Sequence, residues 1–214
     1  MGKIFTSVTG PGFDACLHQL KGIKNAELRL DKVDLSEEDI TRLWPNCSSW
    51  MITIRKDFLI DPRWNEILET CLSLEPKYLD LDIEIEGSGF SKIMKTLAER
   101  NITLILSYHN YEFTPPLKDL KEKAGSMFDR GADVVKLACM VKDYDDNVTL
   151  LRMYAEFGPI ICIGMGDKGK VSRLNALYFG ERISYAAPSQ AEVVAPGQFT
   201  FEEMQRLEKA IECD

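Results

Sequence analysis

Histidine is almost absent: His18 and His109 are the only two in 214 residues. The six cysteines, Cys16, Cys47, Cys71, Cys139, Cys162 and Cys213, are scattered without a CxxC pair or other metal spacing. A structural zinc site or a thioredoxin-like redox centre needs such clustering, so neither is expected, and the thiols read as free, small apolar residues in a reducing cytoplasm. Basic residues are in deficit, 26 Lys and Arg against 34 Asp and Glu, for a net charge of −8 and a pI near 5.0. Nucleic acid and anionic membrane surfaces favour a basic face, so neither is an expected partner. An anionic small substrate would have to be held by a few local Arg or Lys side chains. No run approaches the ~18 apolar residues of a membrane span. The apolar start of the chain stops at Gly10-Pro11-Gly12, too short for a signal-peptide core. There is no low-complexity linker and no solenoid-like repeat. With 45% hydrophobic residues, the expectation is a cytoplasmic protein with one large core, folded as a single domain over residues 1–214.

Short β-rich runs alternate with longer amphipathic stretches throughout. Strands are predicted over 3–8, 26–31, 50–55, 78–85, 103–108, 134–139, 160–164 and 183–186, and helices over 13–20, 37–43, 64–73, 90–100, 116–130, 147–157, 170–179 and 200–212. Ser36, followed by Glu37, Glu38 and Asp39, is an N-cap with an acidic first turn. Eight βα units predict a parallel eight-stranded (β/α)₈ barrel of the TIM type, with an open doubly wound sheet as the alternative.

Lys136 interrupts the apolar run Gly131-Ala132-Asp133-Val134-Val135-Lys136-Leu137-Ala138-Cys139-Met140. A Lys removed from water loses part of its preference for the charged form, which makes the amine a candidate Schiff-base nucleophile. The bland alternative is a side chain that snorkels from the strand end or pairs with Asp133. Other polar residues gather at strand ends, where barrel enzymes keep their chemistry: Ser7, Glu27, Arg29, Arg55, Asp80, Asp82, Glu84, Ser107 and His109. Alternation puts Glu27, Arg29 and Asp31 on one face, and likewise Asp80, Asp82 and Glu84. That face is either a functional ring or a structural ion-pair network. His109, closing an apolar run before Thr114-Pro115-Pro116, suits a general acid/base. His18 reads as a surface residue.

Five blocks then carry a resemblance: Glu27-Leu28-Arg29-Leu30-Asp31, Ser107-Tyr108-His109-Asn110-Tyr111 with Thr114-Pro115, the Lys136 run, Met165 through Ser172-Arg173, and Ala195-Pro196-Gly197-Gln198. In this order they resemble the successive signatures of type I 3-dehydroquinate dehydratases. The resemblance implies a barrel enzyme of the shikimate pathway, which serves chorismate and aromatic amino-acid biosynthesis. Such an enzyme removes water from 3-dehydroquinate by syn elimination, with neither metal nor organic cofactor. It implies Lys136 as the imine-forming residue, His109 as the acid/base and Asp82 as the residue that orients it. Arg173 with Gln198 would hold the substrate carboxylate. Glu27, Arg29, Arg55 and Ser7 would contact the ring hydroxyls and wall, with Met165 beneath the ring. Residues 188–198 would form a lid, and a homodimer is implied.

Three departures stand out. The fourth strand carries Asp82 where the family pattern has Glu, so either Asp82 or Glu84 would serve. Val194 stands where many members have Ser. The stretch from Arg55 to Trp64 is short. Rival readings are another Schiff-base lyase or aldolase barrel, and a catalytically silent paralogue that binds quinate-like acids as a sensor.

Overall fold

A computed structural model describes residues 2–211; Met1, Glu212 at the end of the last predicted helix, and Cys213 lie outside them. Strands and helices alternate as β1 (Lys3–Val8), α1 (Phe13–Gln19), β2 (Asn25–Arg29), α2 (Glu37–Leu43), β3 (Ser49–Ile54), α3 (Trp64–Ser73), β4 (Tyr78–Asp82) and α4 (Gly87–Leu97), and then as β5 (Thr103–Asn110), α5 (Leu117–Asp129), β6 (Val134–Met140), α6 (Tyr144–Glu156), β7 (Ile160–Met165), α7 (Lys170–Tyr178), β8 (Ile183–Ala186) and α8 (Phe201–Ile211). Hydrogen-bonded neighbours run β7-β6-β5-β4-β3-β2-β1-β8. This is the (β/α)₈ parallel barrel fold. A doubly wound sheet would reverse its strand order at a switch point; here neighbours follow in unbroken chain order, and β8 returns to β1.

The described chain divides into two compact units, Ser7–Ile105, and the stretch up to Thr6 with Leu106 onward. In the first, β2, β3 and β4 form a parallel ladder, with Ala26 opposite Trp50, Ile52 opposite Leu79 and Thr53 opposite Asp80. In the second, Ile4 of β1 pairs with Ser184 of β8, and Lys136 of β6 with Ile161 of β7. Every residue of β7, Ile-Ile-Cys-Ile-Gly-Met, is buried, as expected for a parallel strand covered on both faces.

Local side-chain chemistry sets several ends. The Ser36 hydroxyl accepts from the Asp39 N–H at 3.1 Å while the Asp39 carboxylate accepts from the Ser36 N–H at 3.2 Å, a reciprocal cap that starts α2 as predicted. α6 starts at Tyr144, three residues before its predicted start, because the Asp146 carboxylate accepts from the Lys142 and Asp143 N–H groups at 2.7 and 3.1 Å. β4 stops at Asp82 rather than at 85: Asp82 Oδ1 accepts from the Glu84 N–H at 3.0 Å and closes a turn. β2 ends at Arg29 rather than at 31, where the Lys32 N–H turns back onto the Arg29 carbonyl at 2.9 Å. β5 runs two residues past its predicted end and takes His109 onto the strand.

Leu177, 1% exposed, packs with Ile4, Ala186 and Met204 beneath Leu174, Phe199 and Phe201. Leu177→Ala is expected to lower unfolding free energy by about 2–5 kcal/mol through lost burial and a residual cavity. The neighbouring Val171→Ala, at a position 49% exposed, should change it by no more than about 0.5 kcal/mol; urea unfolding of the two variants checks the contrast.

Candidate active site

β6 carries Lys136 in mid-strand, 5% exposed. The side chain is therefore buried rather than snorkelled, whereas Asp133 lies exposed before the strand. Lys136 Nζ stands 3.8 Å from the centroid of the Tyr185 ring on β8. His109, next to last on β5, is partly exposed and stacks on Tyr111 with ring centroids 6.0 Å apart and an interplanar angle of 16°. The strand stops there because Asn110 Oδ1 accepts from the Glu112 and Phe113 N–H groups at 2.9 and 3.0 Å. Thr114 Oγ1 then donates to the Met140 carbonyl at 2.9 Å and ties this loop to the end of β6.

Met165, 2% exposed, closes β7. After it, Ser172 Oγ accepts from the Gly164 N–H at 2.6 Å and donates to the Gly169 carbonyl at 2.7 Å, which fixes the start of α7 against the strand. That anchor sets the next residue, Arg173, 2% exposed. Its Nη2 donates to the Pro196 carbonyl at 3.3 Å, while Nε is buried without a hydrogen-bond acceptor. No carboxylate among the described residues lies within ion-pair distance of it. Burial pulls this guanidinium down to about 10, so it is charged at neutral pH. A buried cation without an anion beside it costs several kcal/mol.

The segment after β8 reaches the same guanidinium. Its Pro196 carbonyl also accepts from the Gly166 N–H at 3.0 Å. Gly197 turns the chain at φ 72°, where a Cβ would meet the Gly166 oxygen at 2.3 Å, so only glycine fits. Gln198, 6% exposed, has its side-chain oxygen held by the Val194 N–H at 3.1 Å. At position 194 the backbone thus makes a polar contact that does not depend on a hydroxyl.

The unit Ser7–Ile105 holds a second polar set. Glu27, 3% exposed, accepts from Ser7 Oγ at 2.5 Å and from Thr53 Oγ1 at 2.8 Å. Asp31 grips Arg29 in two bonds of 2.8 and 2.6 Å. Burial opposes the Arg29 charge, but the Asp31 bonds and the Glu27 charge outweigh it and raise its pKa. Arg55 Nη1 donates to the fully buried Asp80 at 2.9 Å, and its Nε lies 3.9 Å from Asp82. Burial again opposes the cation, and the Asp80 charge and hydrogen bond again win, raising Arg55. Asp82 is raised by burial, against the Glu84 N–H and Arg55. Glu84 does not share the Asp80–Asp82 face: the turn carries it out, its side chain 68% exposed, to pair with Lys56 at 3.7 Å. The stretch after Arg55 coils into a short turn, Lys56–Ile60, that buries Phe58 and leaves Ile60 80% exposed.

Thr53 and Tyr185 were not among the expected site residues, and Asp31 was expected only to share a face with Glu27 and Arg29. Two-residue spacing from Arg55 identifies Thr53, and two-residue spacing from Arg29 identifies Asp31; nothing in the sequence singles out Tyr185. The five described cysteines are free thiols. Burial pushes Cys16 and Cys47 up to about 11 and Cys71 and Cys139 up to about 12, and raises Cys162 too. None of these is a thiolate nucleophile near neutral pH.

A family model for type I 3-dehydroquinase matches residues 4–212, and the chain belongs to that family. The 3-dehydroquinate dehydratase of Thermococcus gammatolerans is 32% identical over 187 residues, covering 85% of this chain and 84% of that protein. The Pyrococcus abyssi enzyme of the same name is 32% identical over 192 residues, covering 86% of each. Among solved structures, the 3-dehydroquinate dehydratase of Aquifex aeolicus superposes with a TM-score of 0.78 at 28% identity, covering 97% of this chain and 98% of that one. The Geobacillus kaustophilus structure, with a TM-score of 0.81 at 20% identity over 99% and 91% of the two chains, shares the fold. No helix among the described residues is long and apolar enough to cross a membrane.

Proposed function

We propose that the chain is a 3-dehydroquinate dehydratase that forms a Schiff base through Lys136 and gives 3-dehydroshikimate, a step of aromatic amino-acid biosynthesis. The observation that carries the reading is Arg173. A buried guanidinium without a carboxylate partner belongs to the same unit as a buried lysine, which suits a substrate that is both a carboxylate and a ketone. Family membership and the names of the relatives support it.

In this mechanism the neutral Lys136 amine adds to the C3 ketone. One proton is lost from nitrogen and one is taken up, the carbonyl oxygen leaves as water, and a cationic iminium remains. The iminium acidifies C2, so a modest base suffices. His109 takes the C2 proton, and the electron pair moves to give a neutral enamine. The enamine pair then expels the C1 hydroxyl, which takes the proton back from His109 and departs as water on the same face. Hydrolysis of the resulting conjugated iminium frees the product and the amine. Arg173 offers two parallel N–H groups to the carboxylate, with Gln198 beside it. Glu27, Arg29, Arg55 and Ser7 contact ring oxygens, Met165 supports the ring and Asp82 orients His109. Residues 188–198 act as the lid, which keeps bulk water from the hydrolysable imine.

Intact-mass spectrometry after mixing protein, 3-dehydroquinate and sodium borohydride tests the reading. The expected result is one reduced-substrate adduct, mapped to the Lys136 peptide. Substrate binding without an adduct would favour the silent sensor, and failure of both would favour an aldolase acting on another ketone.

A further inference from the structure

Tyr185 and Lys136 are each 5% exposed, and the amine nitrogen stands 3.8 Å from the ring centroid. The ring is held firmly. Its residue pairs in register with Phe5 of β1, and Phe5, Ser184 and Ala186 are fully buried around it. The face of an aromatic ring carries negative electrostatic potential, and a desolvated cation above it is stabilised more than an exposed one.

We propose that Tyr185 is a positioning residue for the Schiff-base nitrogen, its ring face fixing Lys136 Nζ and stabilising the positive charge that this nitrogen gains on becoming an iminium. The inference rests on the dehydratase reading above. The charge arises as already balanced: amine and ketone take up one proton, release one water and leave one positive charge on nitrogen. The ring favours any cation at that point, so its effect on iminium formation cancels where Lys136 starts as an ammonium. It is fully expressed where Lys136 starts as a neutral amine. Measurement therefore belongs at a pH where imine trapping has levelled off.

The test replaces Tyr185 by Phe and by its mono-, di- and trifluorinated analogues, and measures how much Lys136 a borohydride pulse traps at saturating 3-dehydroquinate. Fluorine drains the ring face with little change of size, so packing is held nearly constant through the series. The trapped fraction, relative to unreacted amine, is expected to fall with each fluorine and by about tenfold from Phe to the trifluoro ring. A flat series would overturn the proposal, because a ring that merely packs is indifferent to its electronics. Absence of any adduct from the unsubstituted protein would instead defeat the Schiff-base reading, and this inference with it.

Discussion

Lys136→Met is expected to lower kcat by about four orders of magnitude or more, the scale on which loss of a covalent nucleophile is felt, while the protein stays folded. The two consequences have separate causes. Without the amine there is no iminium, and the C2 proton then has only the ketone to acidify it. Stability is governed instead by packing in β6, where Lys136 is 5% exposed among buried neighbours. Met keeps most of the side-chain volume and still covers the Tyr185 ring. Where Lys136 is protonated, Met forfeits a cation–π contact worth about 1–2 kcal/mol but also removes the cost of burying the cation, and where the amine is neutral neither contribution arises, so the net change is small in both cases. Lys136→Ala should abolish turnover equally but unfold more easily, since it leaves a cavity. Ultraviolet absorbance of the conjugated enone product and thermal unfolding of both variants check this. Near-normal turnover in Lys136→Met would sink the mechanism.

Lysine 136 was legible because a charge inside an apolar strand run violates the pattern around it, and the barrel was legible because strand and helix periods alternate eight times. β4 was misread for an instructive reason. Asp80, Asp82 and Glu84 alternate with Leu81, Ile83 and Ile85, an unbroken period of two. The Asp82 side chain nevertheless bonds the Glu84 N–H and turns the chain, so a local side-chain hydrogen bond overrode the period and put Glu84 in solvent. The start of α6 was missed in the same way, its acidic residues read as loop when Asp146 caps the helix. Arg173 entered through the resemblance alone. Helical periodicity cannot distinguish an Arg facing solvent from one buried beneath a loop that arrives more than twenty residues later. Tyr185 was invisible because an aromatic in an apolar strand reads as core, which it also is.

Arg173→Met is expected to weaken binding of 3-dehydroquinate by about 10²- to 10⁴-fold while leaving the ligand-free protein as stable as before or more so. Two charge-assisted hydrogen bonds to a carboxylate, each worth about 1.5–3 kcal/mol, set the loss in affinity. The stability prediction comes from the ligand-free site. The guanidinium has one long bond, 3.3 Å to the Pro196 carbonyl, and a buried Nε with no acceptor. Burial pulls its pKa down to about 10. A depressed base binds fewer protons folded than unfolded, so its burial cost is fully present below pH 10 and is relieved only as pH rises through that value. At neutral pH, Met removes that cost and keeps the volume. A structural arginine would behave in the opposite way, losing stability on replacement with little change in KM. Arg173→Lys separates charge from shape: it restores the cation but not the parallel pair of donors, so affinity should recover only in part. Calorimetric binding of quinate, a carboxylate that lacks the reactive ketone, reads affinity free of chemistry, and thermal unfolding without ligand reads the released cost. An unchanged affinity together with a lower melting temperature would remove Arg173 from the site, and with it the observation on which the functional reading leans most.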